Sequence, residues 1–194
     1  MENCLYKFKM DHDKEKLIEE SKVFKYKPIN KETLTWIYNE GIEFNDDLSF
    51  IEKDNKWWTE QESWAASREP MSGEVDLSES IRITKLMKEI CKTDKIKANF
   101  LTQTQGSEVP THTDVGTLCA INFILEGGQT PINFEGYPDE YYDTALLNVS
   151  VNHSVPVQKD QNRILFKLRF THHTFDEIKP VSYTHLRAHE TNLD

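Results

Sequence analysis

The sequence predicts a mainly β protein: an all-β sandwich or jelly roll with N-terminal helices packed on the outer face of one sheet. Three observations carry this expectation. The apolar period changes near Lys95, from helical spacing to alternation in twos. The next seventy or so residues break into strand-like runs separated by turn-forming clusters such as Glu126–Pro131 and Glu135–Asp139. Ahead of them lies an amphipathic helix whose apolar stripe needs a sheet to cover it.

Taken in order, Asp11–Phe24 carries Leu17, Ile18, Val23 and Phe24 among many charges and reads as a helix with a solvated face, ended by Pro28. Asn30 then reads as the N-cap of a short helix with Leu34, Ile37 and Tyr38 on one side and Gly41 at its end. From Phe44 to Gly73 the pattern is irregular, with Trp57, Trp58, Trp64 and Pro70, and suggests a long loop with short elements. Asp76 and Glu79 have capping-box spacing, and Leu77, Ile81, Met87 and Ile90 mark the best helix of the chain. The strands expected are Ile96–Gln103, Thr117–Leu125, Leu146–Val151 and Ile164–Phe170. One domain over residues 1–180 is expected, helical over 1–94 and with its β core over 95–170.

The composition narrows the function classes. Of 194 residues, 23 are Lys or Arg against 33 Asp or Glu, a formal charge of -10, and no long basic run supplies the phosphate neutralisation that nucleic acid demands. Cys4, Cys91 and Cys119 are odd in number, widely spaced and outside any metal-ligand spacing, so a disulfide framework is not expected and a reducing, cytoplasmic setting fits. Asp11, His12, Asp13, Lys14, Glu15 and Lys16 stand where a signal peptide has its apolar core, and Leu118–Leu125 is too short to span a bilayer. The expected partner is a small-molecule or peptidyl substrate, with no membrane.

The last fourteen residues, VSYTHLRAHETNLD (181–194), are set apart. They resemble one translated frame of a transposase-type sequencing-library adapter followed by index-derived sequence, which implies a non-native tail and a native end lost beyond about residue 180. His185 and His189, spaced for a metal on a helix, are excluded as candidates on that ground.

The chemistry is expected at His112, Asp114 and His153. On an extended chain, residues two apart point to one face, so His112 and Asp114 can grip one metal ion. His153 lies at the end of the Leu146–Val151 run, where a sheet that folds back can bring it beside the pair. Two imidazoles and one carboxylate form the facial triad of non-heme Fe(II) oxygenases, which leaves positions open for other ligands. A structural zinc site would close its fourth position, usually with Cys or His, and no Cys lies near these three in sequence. Arg163 opens the next strand with a planar fork suited to a carboxylate. In that strand Ile164, Phe166, Leu168 and Phe170 share one face, so Arg163, Leu165, Lys167 and Arg169 face into the barrel, and Lys167 and Arg169 rival Arg163 as carboxylate partners.

HTD at His112–Asp114, LLNVSVNHSV around His153 and RILFKLRF from Arg163 together resemble the core of the 2-oxoglutarate and Fe(II)-dependent dioxygenases. The small prolyl-hydroxylase-like and aspartyl-hydroxylase-like members common in bacteriophage genomes are the most similar. The resemblance covers roughly Lys95–Phe170 and implies a double-stranded β-helix (jelly roll), Fe(II) as metal, 2-oxoglutarate as cosubstrate, and hydroxylation with release of succinate and carbon dioxide. It maps His112, Asp114 and His153 onto the iron ligands and Arg163 onto the partner of the distal 2-oxoglutarate carboxylate. A carboxylate at position 114, rather than a small residue, implies hydroxylation rather than halogenation.

Other readings of these residues stand beside it. The histidines are otherwise ordinary hydrogen-bonded side chains, Asp114 a turn residue before Gly116, and Arg163 a strand-entrance cation. Asn122, a polar break in the run Leu118–Leu125, either touches 2-oxoglutarate or satisfies neighbouring backbone, and Gln103 and Gln105 are candidates of the same kind. Tyr137, Tyr141 and Tyr142, like the tryptophans, either close over a substrate or pack in the core. His172 and His173 are expected to face solvent, and His12 to lie in a charged helix. Two alternatives to the dioxygenase remain: a cupin-like metal enzyme that does not use 2-oxoglutarate, disfavoured by the missing His-x-His, and a non-catalytic jelly-roll binding module.

Overall fold

Strands from both halves of the chain build two antiparallel sheets. The computed structural model describes residues 4–28, 64–70, 76–114 and 116–180. In chain order the elements are β1 (Leu5–Lys7), α1 (Lys14–Lys22), β2 (Phe24–Pro28), β3 (Trp64–Pro70), α2 (Ser78–Ile90), β4 (Ile96–Gln103), β5 (Val109–His112), β6 (Cys119–Glu126), β7 (Asn133–Phe134), β8 (Thr144–Leu147), β9 (His153–Val155) and β10 (Arg163–Phe170). Seven strands form one sheet in the order β1-β8-β6-β10-β4-β3-β2, and three form the other in the order β5-β9-β7. All their pairings are antiparallel. This is the predicted jelly roll, mainly β with a few helices.

The large sheet is buried on both faces, which explains why β6 is an almost unbroken apolar run. Its inner face contributes Leu101, Ile124, Ala145, Leu147 and Leu165 to a core shared with Val109, Val155 and Phe134 of the small sheet. Its outer face contributes Phe100, Ile121, Phe123, Phe166, Leu168 and Phe170 to a second core closed by Leu17 of α1 and by Ile83 and Met87 of α2. Ile83 and Met87, four apart, lie one turn from each other on the buried stripe of α2. The alternation expected of β10 is therefore realised.

Several local expectations are corrected. The first helix begins at Lys14, where the Asp13 side chain accepts the Lys16 amide, and ends at Lys22, because Phe24–Pro28 pairs with β3 as a strand. His12 precedes that helix, its ring centroid 5.2 Å from that of Phe123 in an edge-on contact. Residues 64–70, inside the stretch read as a loop, form β3, which joins β4. Asp76 and Glu79 do not close a capping box. Asp76 accepts the Ser78 amide, while Glu79 accepts the Asp13 amide and pairs with Arg82. The N-terminal amides of α2 are satisfied instead by Glu20 of α1, whose buried carboxylate accepts from Glu79 N at 2.7 Å and Ser80 N at 2.9 Å. A long-range cap of this kind leaves no local spacing to read. Ile81 is 48% exposed, off the buried stripe. The expected strand Leu146–Val151 is Thr144–Leu147, and a turn then leads to β9.

The short helix around Leu34, the tryptophans Trp57 and Trp58, and the adapter-like 181–194 tail lie outside the described residues. Cys4, Cys91 and Cys119 are free thiols. Among the described residues no helix is long and apolar enough to cross a membrane.

Candidate metal centre

Strands β5 and β9 pair so that His112 and His153 stand opposite each other, with ring centroids 4.4 Å apart. Asp114 follows two residues after His112, and its amide donates to Val149 O at 2.9 Å, which fixes the loop against the turn leading into β9. Its Oδ1 lies 3.3 Å from His112 Nε2 and 3.5 Å from His153 Nε2. The three predicted ligands are thus brought together, each offering one atom, with all three atoms within 4.8 Å of one another. His153 opens β9 rather than ending the preceding strand as expected.

The hydrogen bonds on the far side of each ring decide what faces the centre. His112 Nδ1 lies 2.7 Å from Pro110 O, and His153 Nδ1 lies 2.8 Å from Val151 O. A carbonyl oxygen only accepts, so both Nδ1 atoms carry the proton, and in the neutral rings Nε2 is a bare lone pair. Burial pulls the His153 imidazole below its ordinary range, with only partial compensation by Asp114. Burial pushes the Asp114 carboxyl up, but the Lys167 charge beside it opposes this, and the group is held well below the usual carboxylate range. Two imidazole lone pairs and an ionised carboxylate oxygen therefore converge. Such a donor set suits a divalent cation, and each backbone carbonyl acts as the orienting partner that metal-binding imidazoles commonly have.

Lys167 Nζ donates to the second oxygen of Asp114, leaving Oδ1 to the imidazoles. Of the three cations on the inner face of β10, this one is committed to Asp114. Arg163 is 2% exposed, and its Nη2 donates to Tyr142 Oη at 3.3 Å. The same oxygen accepts from Asn122 Nδ2 at 3.0 Å, so Asn122 satisfies a side chain and not the backbone. Asn122 Oδ1 and Arg163 Nε have no hydrogen-bond partner among the described residues. Gly127, at φ +72°, lets the chain pass so close to β10 that an added Cβ would lie 2.7 Å from Arg163 Cα.

Arg163, Lys167, Asn122 and Tyr142 line one cavity with His112, Asp114 and His153. Tyr142 joins the site without any motif in its sequence neighbourhood. Its pairings with Asn122, twenty residues away, and with Arg163 reveal it. The other amide candidates lie elsewhere: Gln103 holds Ser107 O and Pro156 O, and Gln105 holds Lys159 O. Tyr141 is exposed, Tyr137 packs beside the inner core, and His172 is exposed while His173 is half-buried.

No family model matches the chain, and no curated protein matches it in sequence. Solved structures align with parts of it. An oxidoreductase of the 2OG-Fe(II) oxygenase family from Burkholderia pseudomallei aligns with TM-score 0.38 and 16% identity over 58% of this chain and 70% of that one. An RmlC-like cupin from Shewanella frigidimarina aligns with TM-score 0.35 and 12% identity over 56% of this chain and 77% of the cupin. The DMSP lyase DddQ from Ruegeria pomeroyi aligns with TM-score 0.34 and 21% identity over 40% of this chain, which spans 39% of the lyase's length.

Proposed function

We propose that the protein is an Fe(II)- and 2-oxoglutarate-dependent hydroxylase. The observation that carries this reading is the convergence of His112 Nε2, His153 Nε2 and Asp114 Oδ1 in a cavity whose far wall holds the buried fork of Arg163. Iron held by these three residues supplies the activation of dioxygen coupled to conversion of 2-oxoglutarate to succinate and carbon dioxide.

The chain's own residues do the positioning. His112 and His153 present fixed lone pairs because Pro110 O and Val151 O hold their Nδ1 protons. Lys167 holds Asp114 ionised and turned so that one oxygen faces the imidazoles. Arg163 grips the distal carboxylate of the cosubstrate. Lys167, already paired, is a weaker rival than the sequence alone suggests. Tyr142 Oη accepts from both Asn122 and Arg163, so its own proton is free to donate to the same carboxylate. The apolar wall formed by Leu101, Val109, Leu147, Val155 and Leu165 keeps water from the site.

The open space in the cavity is about 30 Å³, roughly one water. That space is too small for a five-carbon diacid, so binding of the cosubstrate requires side chains lining the cavity to move. That small volume is also the observation favouring a second reading, a metal centre that does not use 2-oxoglutarate.

Conversion of 2-oxoglutarate to succinate, measured with Fe(II) and oxygen across a panel of small-molecule and peptide substrates, tests the proposal. Turnover that disappears in His153→Ala is the expected result. Equal turnover in that variant refutes the site, and metal binding without any 2-oxoglutarate turnover favours the second reading.

A further inference from the structure

Arg169 is the cation of the inner face of β10 that the proposed function leaves unused. Along that face the order is Arg163, Leu165, Lys167 and Arg169, with alternate residues about 7 Å apart. Lys167 marks the metal centre through Asp114, so Arg163 and Arg169 lie on opposite sides of it. The 2-oxoglutarate assigned to Arg163 occupies one side, which leaves the Arg169 side for the molecule to be oxidised.

Among the described residues, Asp114 is the acid whose charge reaches Arg169. Its cross-strand partners are Lys97 on β4 and Ala120 on β6, a cation and a methyl group. Its Nε is buried with no hydrogen-bond partner among the described residues, although the side chain as a whole is only half-buried and so reachable. Burial pulls the guanidinium down to about 10, and the Asp114 charge offsets this only in part. That carboxylate is already committed to Lys167 and to the imidazoles. A guanidinium whose Nε is sealed from water without a partner is costly, and a planar anion accepting two parallel hydrogen bonds is the ligand that offsets the cost.

We infer that Arg169 anchors a carboxylate of the substrate, so that the hydroxylated molecule is a carboxylic acid, free or as an acidic side chain of a peptide. The inference rests on the dioxygenase reading for its chemistry, but the anion site stands on its own geometry.

Nuclear magnetic resonance of the arginine Nε–H groups in the full chain tests it. Through-bond assignment identifies the Arg169 signal, and its loss in Arg169→Lys checks that assignment. Titration with acetate should shift the signal saturably, acetamide should not, and an acetylated, amidated Gly-Asp-Gly peptide distinguishes a side-chain carboxylate from a free acid by whichever binds more tightly. An unmoved Arg169 signal, or an equal shift with acetamide, overturns the inference. Calorimetry of 2-oxoglutarate with the Mn(II)-loaded protein runs separately. Its failure with the acetate shift intact refutes the dioxygenase reading alone, and the reverse pattern refutes the anion site alone.

Discussion

The Lys167 ammonium donates to one oxygen of Asp114 while the other oxygen faces the two imidazoles. A strand-borne cation thus holds a loop-borne carboxylate in a centre that cross-strand pairing of His112 with His153 completes. Both side chains are largely buried, at 8% and 14% exposure, so solvent does little to screen the pair. Replacing Lys167 with Met leaves a buried carboxylate unpaired, which typically costs about 3–5 kcal/mol. Thermal unfolding without added metal should show a clear drop in Tm, and Mn(II) should recover more of it in the variant than it adds to the wild type. An unchanged Tm without metal would contradict the role given to the pair.

Gly127 predicts a sharper result than its neighbours in the sequence suggest. In Gly127→Ala the left-handed backbone costs about 1–2 kcal/mol, and the new methyl group meets Arg163 Cα, Arg163 Cβ and Asn162 O at 2.7, 2.9 and 2.9 Å. Gly136 has φ +83° with nothing within 4 Å, so Gly136→Ala isolates the backbone term. Denaturant unfolding should rank Gly127→Ala well below Gly136→Ala in stability. Equal losses would mean that the close approach to Arg163 is unimportant.

Tyr142 offers a test of the carboxylate pocket that spares the metal ligands. Tyr142→Phe removes the oxygen that accepts from Asn122 and Arg163, a loss of about 1 kcal/mol, or roughly fivefold in Kd for 2-oxoglutarate. Calorimetry on the Mn(II)-loaded variant reads this directly. Unchanged or tighter binding would remove the phenol from the pocket.

The thiols should be inert. Burial pushes the Cys91 thiol up to about 11 and Cys119 higher still. Near pH 8 the thiolate of Cys91 is then about a hundredfold scarcer than for an ordinary thiol, and alkylation should be slower in proportion until the chain is unfolded. Rapid labelling of Cys91 in the native protein would contradict its burial.

Much of the site was legible because it depends on short-range parity. One residue separates His112 from Asp114, and alternation along β10 turns Arg163 inward while Phe166 and Phe170 face the helices. What the sequence hid depends on contacts between distant segments. The partner of Lys167 is 53 residues away, that of Tyr142, just ahead of β8, is Asn122 on β6, and the cap of α2 is Glu20 on α1. Alternation also could not rank Arg163, Lys167 and Arg169, since all three point inward. The pairing of Lys167 with Asp114 sets that cation apart, and the cavity lining and the Tyr142 contact set Arg163 apart from Arg169.

The central claim is that His112, Asp114 and His153 hold a divalent metal beside a 2-oxoglutarate site at Arg163. Calorimetric titration of 2-oxoglutarate into the protein with and without Mn(II), in wild type and in His153→Ala, tests it most directly. The account predicts saturable binding in wild type only when Mn(II) is present, and its loss in His153→Ala. Binding that ignores both the metal and the substitution, or no binding in wild type with Mn(II), would contradict it.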